Sequence, residues 1–385
     1  MKEKIFYPNY NNSILALSSS ILKKYGILPL HSSLPELDKI LQKYKNIVLI
    51  IFDGMGKNIL EHHLKEDSFL RQHKKSTLSS IYPPTTAAAT NSIHSGKAPI
   101  EHGWLGWMQY FKEYDEIIEL FTNKAFYSQK PLDIPSVSQR FLSYKDIYTQ
   151  ITEKNKDIHF ERIFPDWYPG GVKSVQEMRE RIVSTLKTHE KNIILGYWTD
   201  PDSSIHHNGC FTPLINNIMK NINTEMEQLS KEIDEETLVL ITADHGIIDI
   251  ELVWINEFDG IKECLKHAPT MELRTTSFFV KEDKKEEFKK LFNQYFKEDF
   301  LLFTHEEFIE SGLLGSGNKH DKVEDFVGDF VAVGFGKKGL SYYDENNPNV
   351  ETFKKYMASF TSDHAGISKE EIEVPLIIFS KEKNK

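Results

Sequence analysis

The chain has 385 residues, 39% hydrophobic and 27% charged, with 47 Lys+Arg against 57 Asp+Glu and a formal net charge of −10. That length suggests two domains, or one large α/β domain carrying an insertion. The acidic balance excludes a general nucleic-acid coat or an anionic membrane as the main partner, but not an anionic substrate, because a metal site reverses the local sign of the field.

Two cysteines, Cys210 and Cys264, exclude a disulfide-stapled secreted scaffold and fit a reducing cytosol. The first residues lack the apolar run of a signal peptide. The apolar stretch Ile47–Phe52 is far too short to span a bilayer. The expectation is a soluble, cytoplasmic protein.

In chain order, residues 13–44 have a helical, amphipathic pattern broken near Gly26–Pro29 and at Pro35. Asn46–Phe52 is a continuous apolar, β-rich run, the pattern of a strand covered on both faces. It stops at Asp53-Gly54-Met55-Gly56, and a helical pattern resumes over Lys57–Glu66. Residues 104 to 172 are rich in Tyr, Phe, Trp and Pro and read as irregular. Similar strand-like runs are Lys191–Trp198, Thr237–Thr242 and Val374–Phe379, with helical patterns at 174–189 and 211–233. Alternating strands and helices predict an α/β fold with a mostly parallel sheet. The stretch 262–350 holds a strand-like Thr275–Val280, a charged helix over Lys281–Phe296 and a run ending in Asp329–Gly334. It reads as a smaller inserted α/β subdomain, with 1–261 and 351–385 forming the core.

In open α/β sheets, ligands bind beyond the carboxyl ends of the strands. Asp53 follows the first strand, Asp200 to His207 the second, and Asp244-His245-Gly246 the third; Asp363-His364 precedes the last. Taken singly, Asp53 is a turn former or helix cap, and Asp202 with His206 is a surface pair at helical spacing. Four borders of one sheet that each deliver carboxylate, imidazole or both point instead to divalent cations held by N and O donors. A further segment, Ser80 to Gly96, sets Thr85 and Thr86 after two prolines and before a run of small residues that can start a helix. A hydroxyl there is either an N-cap or a group aimed at a phosphate.

These ordered motifs resemble the alkaline phosphatase superfamily, and most of all its type I phosphodiesterase/nucleotide pyrophosphatase branch. The resemblance runs from about residue 46 to 380. It rests on Ile50-Ile-Phe-Asp53-Gly54; Tyr82-Pro83-x-x-Thr86 with Gly96 and His102-Gly103 beyond; Tyr197-x-x-x-Pro201-Asp202-x-x-x-His206-x-x-Gly209; Ala243-Asp244-His245-Gly246; and His364 through Pro375-Leu376. It implies an alkaline phosphatase-like sandwich, a central mostly parallel sheet flanked by helices, with a small inserted cap. It implies Thr86 as the nucleophile. One metal would take Asp202, His206 and His364, and the other Asp53, Asp244, His245 and the Thr86 oxygen. Two divalent ions are implied, zinc first by donor chemistry and manganese second.

The implied activity is hydrolysis of a phosphodiester or nucleotide pyrophosphate bond in a small-molecule phosphate ester, through a phosphothreonine. The partner is not a nucleic-acid duplex and not a membrane. A phosphomonoesterase, a phosphonate hydrolase or a phosphomutase on the same scaffold is the alternative, and a non-catalytic binding protein a further one. Three positions depart from the branch: Ala89 stands where Asn usually helps hold a phosphate oxygen, Ile205 where Gly precedes the ligand His, and Thr199 where Glu is common. Asn91 is the candidate replacement donor, Trp107 a candidate aromatic wall, and His320 a candidate contact from the inserted subdomain.

Overall fold

The computed structural model describes residues 5–381. Its central sheet has six strands in the order Lys74–Ser79, Glu373–Ser380, Thr237–Thr242, Asn46–Phe52, Asn192–Trp198 and His159–Ile163. The last four run parallel, with Leu49 opposite both Leu240 and Leu195. Every residue of Asn46–Phe52 and of Thr237–Thr242 is buried, as a strand must be when helices cover both faces. One set of helices groups Ile14–Lys24 with Pro35–Leu41 and Thr86–Ser95; another groups Pro213–Glu232 with Val175–Thr188 and Lys57–His63. The C-terminal strand expected near 374–379 is present but antiparallel to both neighbours.

A second six-stranded sheet runs Phe300–Thr304, Phe330–Gly334, Thr275–Phe278, Thr270–Met271, Met108–Phe111 and Glu116–Glu119, antiparallel throughout. Its last two strands form a hairpin within 104–172, the stretch expected to be irregular. The residues of 262–350 therefore share one sheet with a hairpin from far upstream. Helix Lys285–Phe296 packs Phe288, Phe292 and Phe296 onto this sheet, a stripe at i, i+4 and i+8. Other side chains of the same stretch, including Phe308, Val323 and Val333, join the main core. Among the described residues, no helix is long and apolar enough to cross a membrane.

Candidate active site

The carboxyl ends of three adjacent parallel strands bring the acidic residues together. Asp53 follows Asn46–Phe52; its backbone N–H donates to Trp198 O, and its carbonyl accepts from Asp202 N at 3.1 Å. The chain can pass this closely because residue 54 is glycine. Its φ is +65°, and a Cβ there would sit 2.7 Å from Asp202 Cβ. Asp202 opens the short helix Asp202–Asn208, so His206, four residues on, shares its face. Asp202 Oδ2 and His206 Nε2 are 3.2 Å apart. Asp244 and His245 follow Thr237–Thr242 and are fully buried. A Cβ on Gly246 would lie 1.9 Å from Glu370 O, so this turn fits against the His364 segment only without a side chain.

Thr86 is the first residue of helix Thr86–Ser95, and Thr85 occupies the N-cap position without capping through its side chain. The Thr85 hydroxyl is buried and donates to Glu272 Oε1 at 2.5 Å. The Thr86 hydroxyl faces the site instead: Oγ1 lies 3.1 Å from His245 Nε2 and 3.4 Å from each Asp53 carboxylate oxygen. The two hydroxyls thus differ by one residue and point to different partners.

Three groups of side chains bring one ligand atom each within 4.8 Å of one another: Asp53, Asp244 and His245; Asp202, His245 and His364; and His206, Asp363 and His364. The first matches one expected set. The other expected set, Asp202, His206 and His364, is spread over two groups that share His364, and Asp363 enters beside it. Asp363 stands beside His364 at the border of the last strand but belongs to neither implied ligand set. Glu272 had no signal at all, because only the fold brings it to Thr85 and to the N–H of Trp107.

Do these residues fit cations? Asp202 Oδ1, Asp244 Oδ2 and His364 Nδ1 are buried with no hydrogen-bond partner, an arrangement that proteins avoid unless something completes it. Burial and the neighbouring Asp244 and Asp202 charges raise the Asp53 carboxyl well above its usual range. Burial, then Asp202, pushes Asp244 up to about 7. Burial pushes Asp363 up to about 6. Burial and His245 hold His364 well below the usual imidazole range. Asp202 and His206 form a coupled pair: against the cost of burial, each keeps the other charged. Crowded buried carboxylates with open lone pairs, beside three imidazoles, are a donor set for hard-to-borderline divalent cations.

The imidazoles are also oriented. His206 Nδ1 lies 2.8 Å from Ser362 O, and His245 Nδ1 lies 3.0 Å from Gly246 O. A Nδ1–H donated to each carbonyl leaves Nε2 free to accept a cation. The Tyr197 hydroxyl donates to Asp53 Oδ2.

The remaining expectations divide. Trp107 lines the same cavity as Thr86 and His206. Asn91 does not: its Nδ2 donates to Ala87 O at 2.7 Å, and its Oδ1 accepts from Tyr144. His320 caps helix Asp321–Phe326, its Nδ1 accepting from Lys322 N at 3.2 Å, and it too is outside the cavity lining. Asp200 accepts from the backbone and hydroxyl of Ser204, which makes it a turn residue.

A family model described as type I phosphodiesterase / nucleotide pyrophosphatase matches residues 47–327. The chain belongs to this family. It is a hydrolytic enzyme of the alkaline phosphatase superfamily. No curated protein sequence matches it. Among solved structures, murine ectonucleotide pyrophosphatase / phosphodiesterase 5 is similar at a TM-score of 0.62 and 14% identity, over 86% of this chain and 87% of that one. An inactive variant of the murine protein, in complex with AMP, gives 0.61 at 14% identity over the same shares. Phosphonoacetate hydrolase from Sinorhizobium meliloti 1021, in complex with phosphonoformate, gives 0.58 at 13% identity, over 89% of this chain and 92% of that one. At these identities the likeness is one of fold.

Proposed function

We propose that this hydrolase cleaves a phosphodiester or nucleotide pyrophosphate bond of a small molecule through Thr86 and two divalent cations. The observation that carries the reading is the position of Thr86 Oγ1, 3.1 Å from His245 Nε2 and 3.4 Å from both Asp53 oxygens. Asp53, Asp244 and His245 would hold one cation together with the Thr86 oxygen. Asp202, His206 and His364 would hold the other, with Asp363 as a further donor beside it. Zinc suits this His/Asp set, and manganese is second. When bound, such cations supply Lewis acidity, easing deprotonation of an alcohol and offsetting charge on phosphoryl oxygens.

The chain's own residues then act as follows. The helix start fixes the Thr86 hydroxyl at the floor of the cavity, so little reorientation is needed before attack. Its oxygen forms the new bond to phosphorus as the bond to the leaving alcohol or phosphate breaks. The hydroxyl proton is lost to solvent, and one is regained by the leaving oxygen. The other ester group stays on phosphorus, so the intermediate is a phosphothreonine ester. Water then attacks that phosphorus and restores the hydroxyl. Tyr197 on Asp53, and the Ser362 and Gly246 carbonyls on the two imidazoles, keep the donors aimed while charge moves.

The buried, unpaired Cys210 and Cys264 support a reducing compartment, with the cytoplasm proposed. Phosphomonoesterase, phosphonate hydrolase and phosphomutase activities use the same donors and differ in the groups around the scissile bond. The test is metal analysis of purified protein, with hydrolysis of bis(4-nitrophenyl) phosphate assayed under zinc, manganese and chelator. Metal bound at neutral pH and chelator-sensitive hydrolysis are expected. Metal-free protein with no turnover under any ion would leave a binding protein in place of this reading.

A further inference from the structure

The cavity that opens above Thr86 is about 360 Å³ in volume. One end is Thr86 with His206 and His364; the other is apolar and aromatic. Four of its side chains come from a single stretch: Phe353, Tyr356, Met357 and Phe360, spaced i, i+3, i+4 and i+7 on and just beyond helix Val350–Met357. Phe126 meets Phe353 edge-on at 5.8 Å, and Phe360 meets the ring of His206 at 5.1 Å. The wall therefore begins at a candidate cation ligand, and most of its area beyond that ligand is aromatic or aliphatic. Trp107 closes it, held from behind by its Nε1–H donating to Glu119 Oε1 at 2.7 Å.

The charged groups on this lining, apart from the cluster around Thr86, are Glu119 and Glu272, with the exposed His207 at the mouth. Among the described residues, no lysine or arginine lines the cavity. The fully buried Arg274 is engaged elsewhere: Nε and Nη2 donate to Glu371, and Nη1 to Lys338 O. The uncharged donors on the wall, Ser203, Gln129 and Tyr356, give no counter-charge to a second anion, and the Glu119 carboxylate opposes one. An aromatic or aliphatic group is favoured there, by area removed from water and by ring stacking. A void of about 150 Å³ suffices for benzene, so the space takes a ring together with the phosphoryl group.

Resting on the proposed phosphoesterase reading, we infer that the substrate is a phosphodiester whose retained ester group, the one that stays on phosphorus when the scissile bond breaks, is uncharged and apolar or aromatic, and that substrates with a second anion on that group are rejected. This separates the chain from enzymes for phosphomonoesters and carboxylated phosphonates.

A matched pair of substrates tests it. 4-Nitrophenyl phenyl phosphate and 4-nitrophenyl 4-carboxyphenyl phosphate share a leaving group and differ by one carboxylate. Assayed with zinc at a pH of about 8, the phenyl ester should be hydrolysed with a kcat/KM about tenfold or more above that of the carboxyphenyl ester. Tyr356 is 56% exposed at the rim, so Tyr356→Lys should fold, and it should narrow the ratio by supplying the missing cation. Equal or faster turnover of the carboxyphenyl ester by the unmodified protein overturns the inference and leaves the phosphoesterase reading standing. Turnover of neither ester with zinc or manganese overturns both.

Discussion

Arg274 and Glu371 form a two-pronged ion pair with no solvent exposure on either side chain, at 2.6 and 2.9 Å. Arg274 belongs to the second sheet's side of the molecule, just before strand Thr275–Phe278. Glu371 also accepts from the N–H groups of Gly366 and Ser368 and from the Ser368 hydroxyl. Next door, the Thr275 hydroxyl donates to Ala365 O at 2.5 Å, and Ala365 holds a φ of +79°. The second sheet thus fixes the loop that carries His364, and this loop keeps a left-handed residue that isolated chain would avoid.

Arg274→Met should therefore cost more than lost packing, because it leaves the Glu371 carboxylate buried and unpaired. The expected loss is about 3–5 kcal/mol, read by urea unfolding. Zinc affinity should fall with it as the His364 loop loosens. Adding Glu371→Leu should not restore the starting stability, since Gly366 and Ser368 then lose their acceptor.

Cation uptake should release protons. Without cations, Asp244 is raised from 3.8 to about 7 and Asp363 to about 6, in each case first by burial. For a carboxyl raised on folding, the stabilising contribution is complete below the unfolded pKa and disappears as pH climbs through the folded one. The cation-free protein should thus lose stability between pH 4 and 7 on the Asp244 shift. Zinc should reverse that loss, since cations favour the ionised carboxylates. Calorimetric titration at pH 6 in two buffers of different ionisation enthalpy measures the released protons; identical heats in both would count against it.

Glu272 offers a cleaner titration. Burial raises its carboxyl to about 8, although Thr85 and the Trp107 N–H donate to it. Glu272→Gln keeps an acceptor oxygen for both donors and removes the ionisation. Its melting temperature should match the starting protein at pH 6 and exceed it at pH 9, because above about 8 only the carboxyl must ionise in a buried place.

Gly54→Ala should damage the site rather than the sheet. The new methyl group meets Asp202 Cβ at 2.7 Å, in a backbone conformation of positive φ. Expected are a stability loss of about 1–2 kcal/mol and reduced metal content by elemental analysis, with the circular dichroism spectrum unchanged.

Much of this architecture was written in apolar runs. Asn46–Phe52 and Thr237–Thr242 are legible as buried strands because covering both faces removes any need for alternation. Strand direction was not legible: Glu373–Ser380 carries the same pattern yet runs antiparallel, since direction depends on the connection and not on the strand. The hairpin Met108–Phe111 and Glu116–Glu119 was hidden because four-residue strands amid scattered aromatics show too few periods to read. Asn91 failed for a geometric reason. Five residues on a helix turn about 140° away from Thr86, and the Tyr144 hydroxyl and Ala87 carbonyl occupy it there. Asp53, Asp202, Asp244, His245 and His364 were legible because strand ends place neighbours predictably. Glu272 and the wall of Phe353, Tyr356, Met357 and Phe360 come from connections whose course the sequence does not announce.

The central claim is that the Thr86 oxygen attacks phosphorus. Thr86→Ala removes that hydroxyl and the adjacent methyl group from a helix whose N-cap is the neighbouring Thr85. With zinc present and metal content confirmed, hydrolysis of bis(4-nitrophenyl) phosphate should fall by about a thousandfold or more. In the unmodified protein, acid-quenched samples should carry a phosphoryl adduct on the peptide containing Thr86. A metal-loaded Thr86→Ala protein that turns over at the unmodified rate would contradict the account.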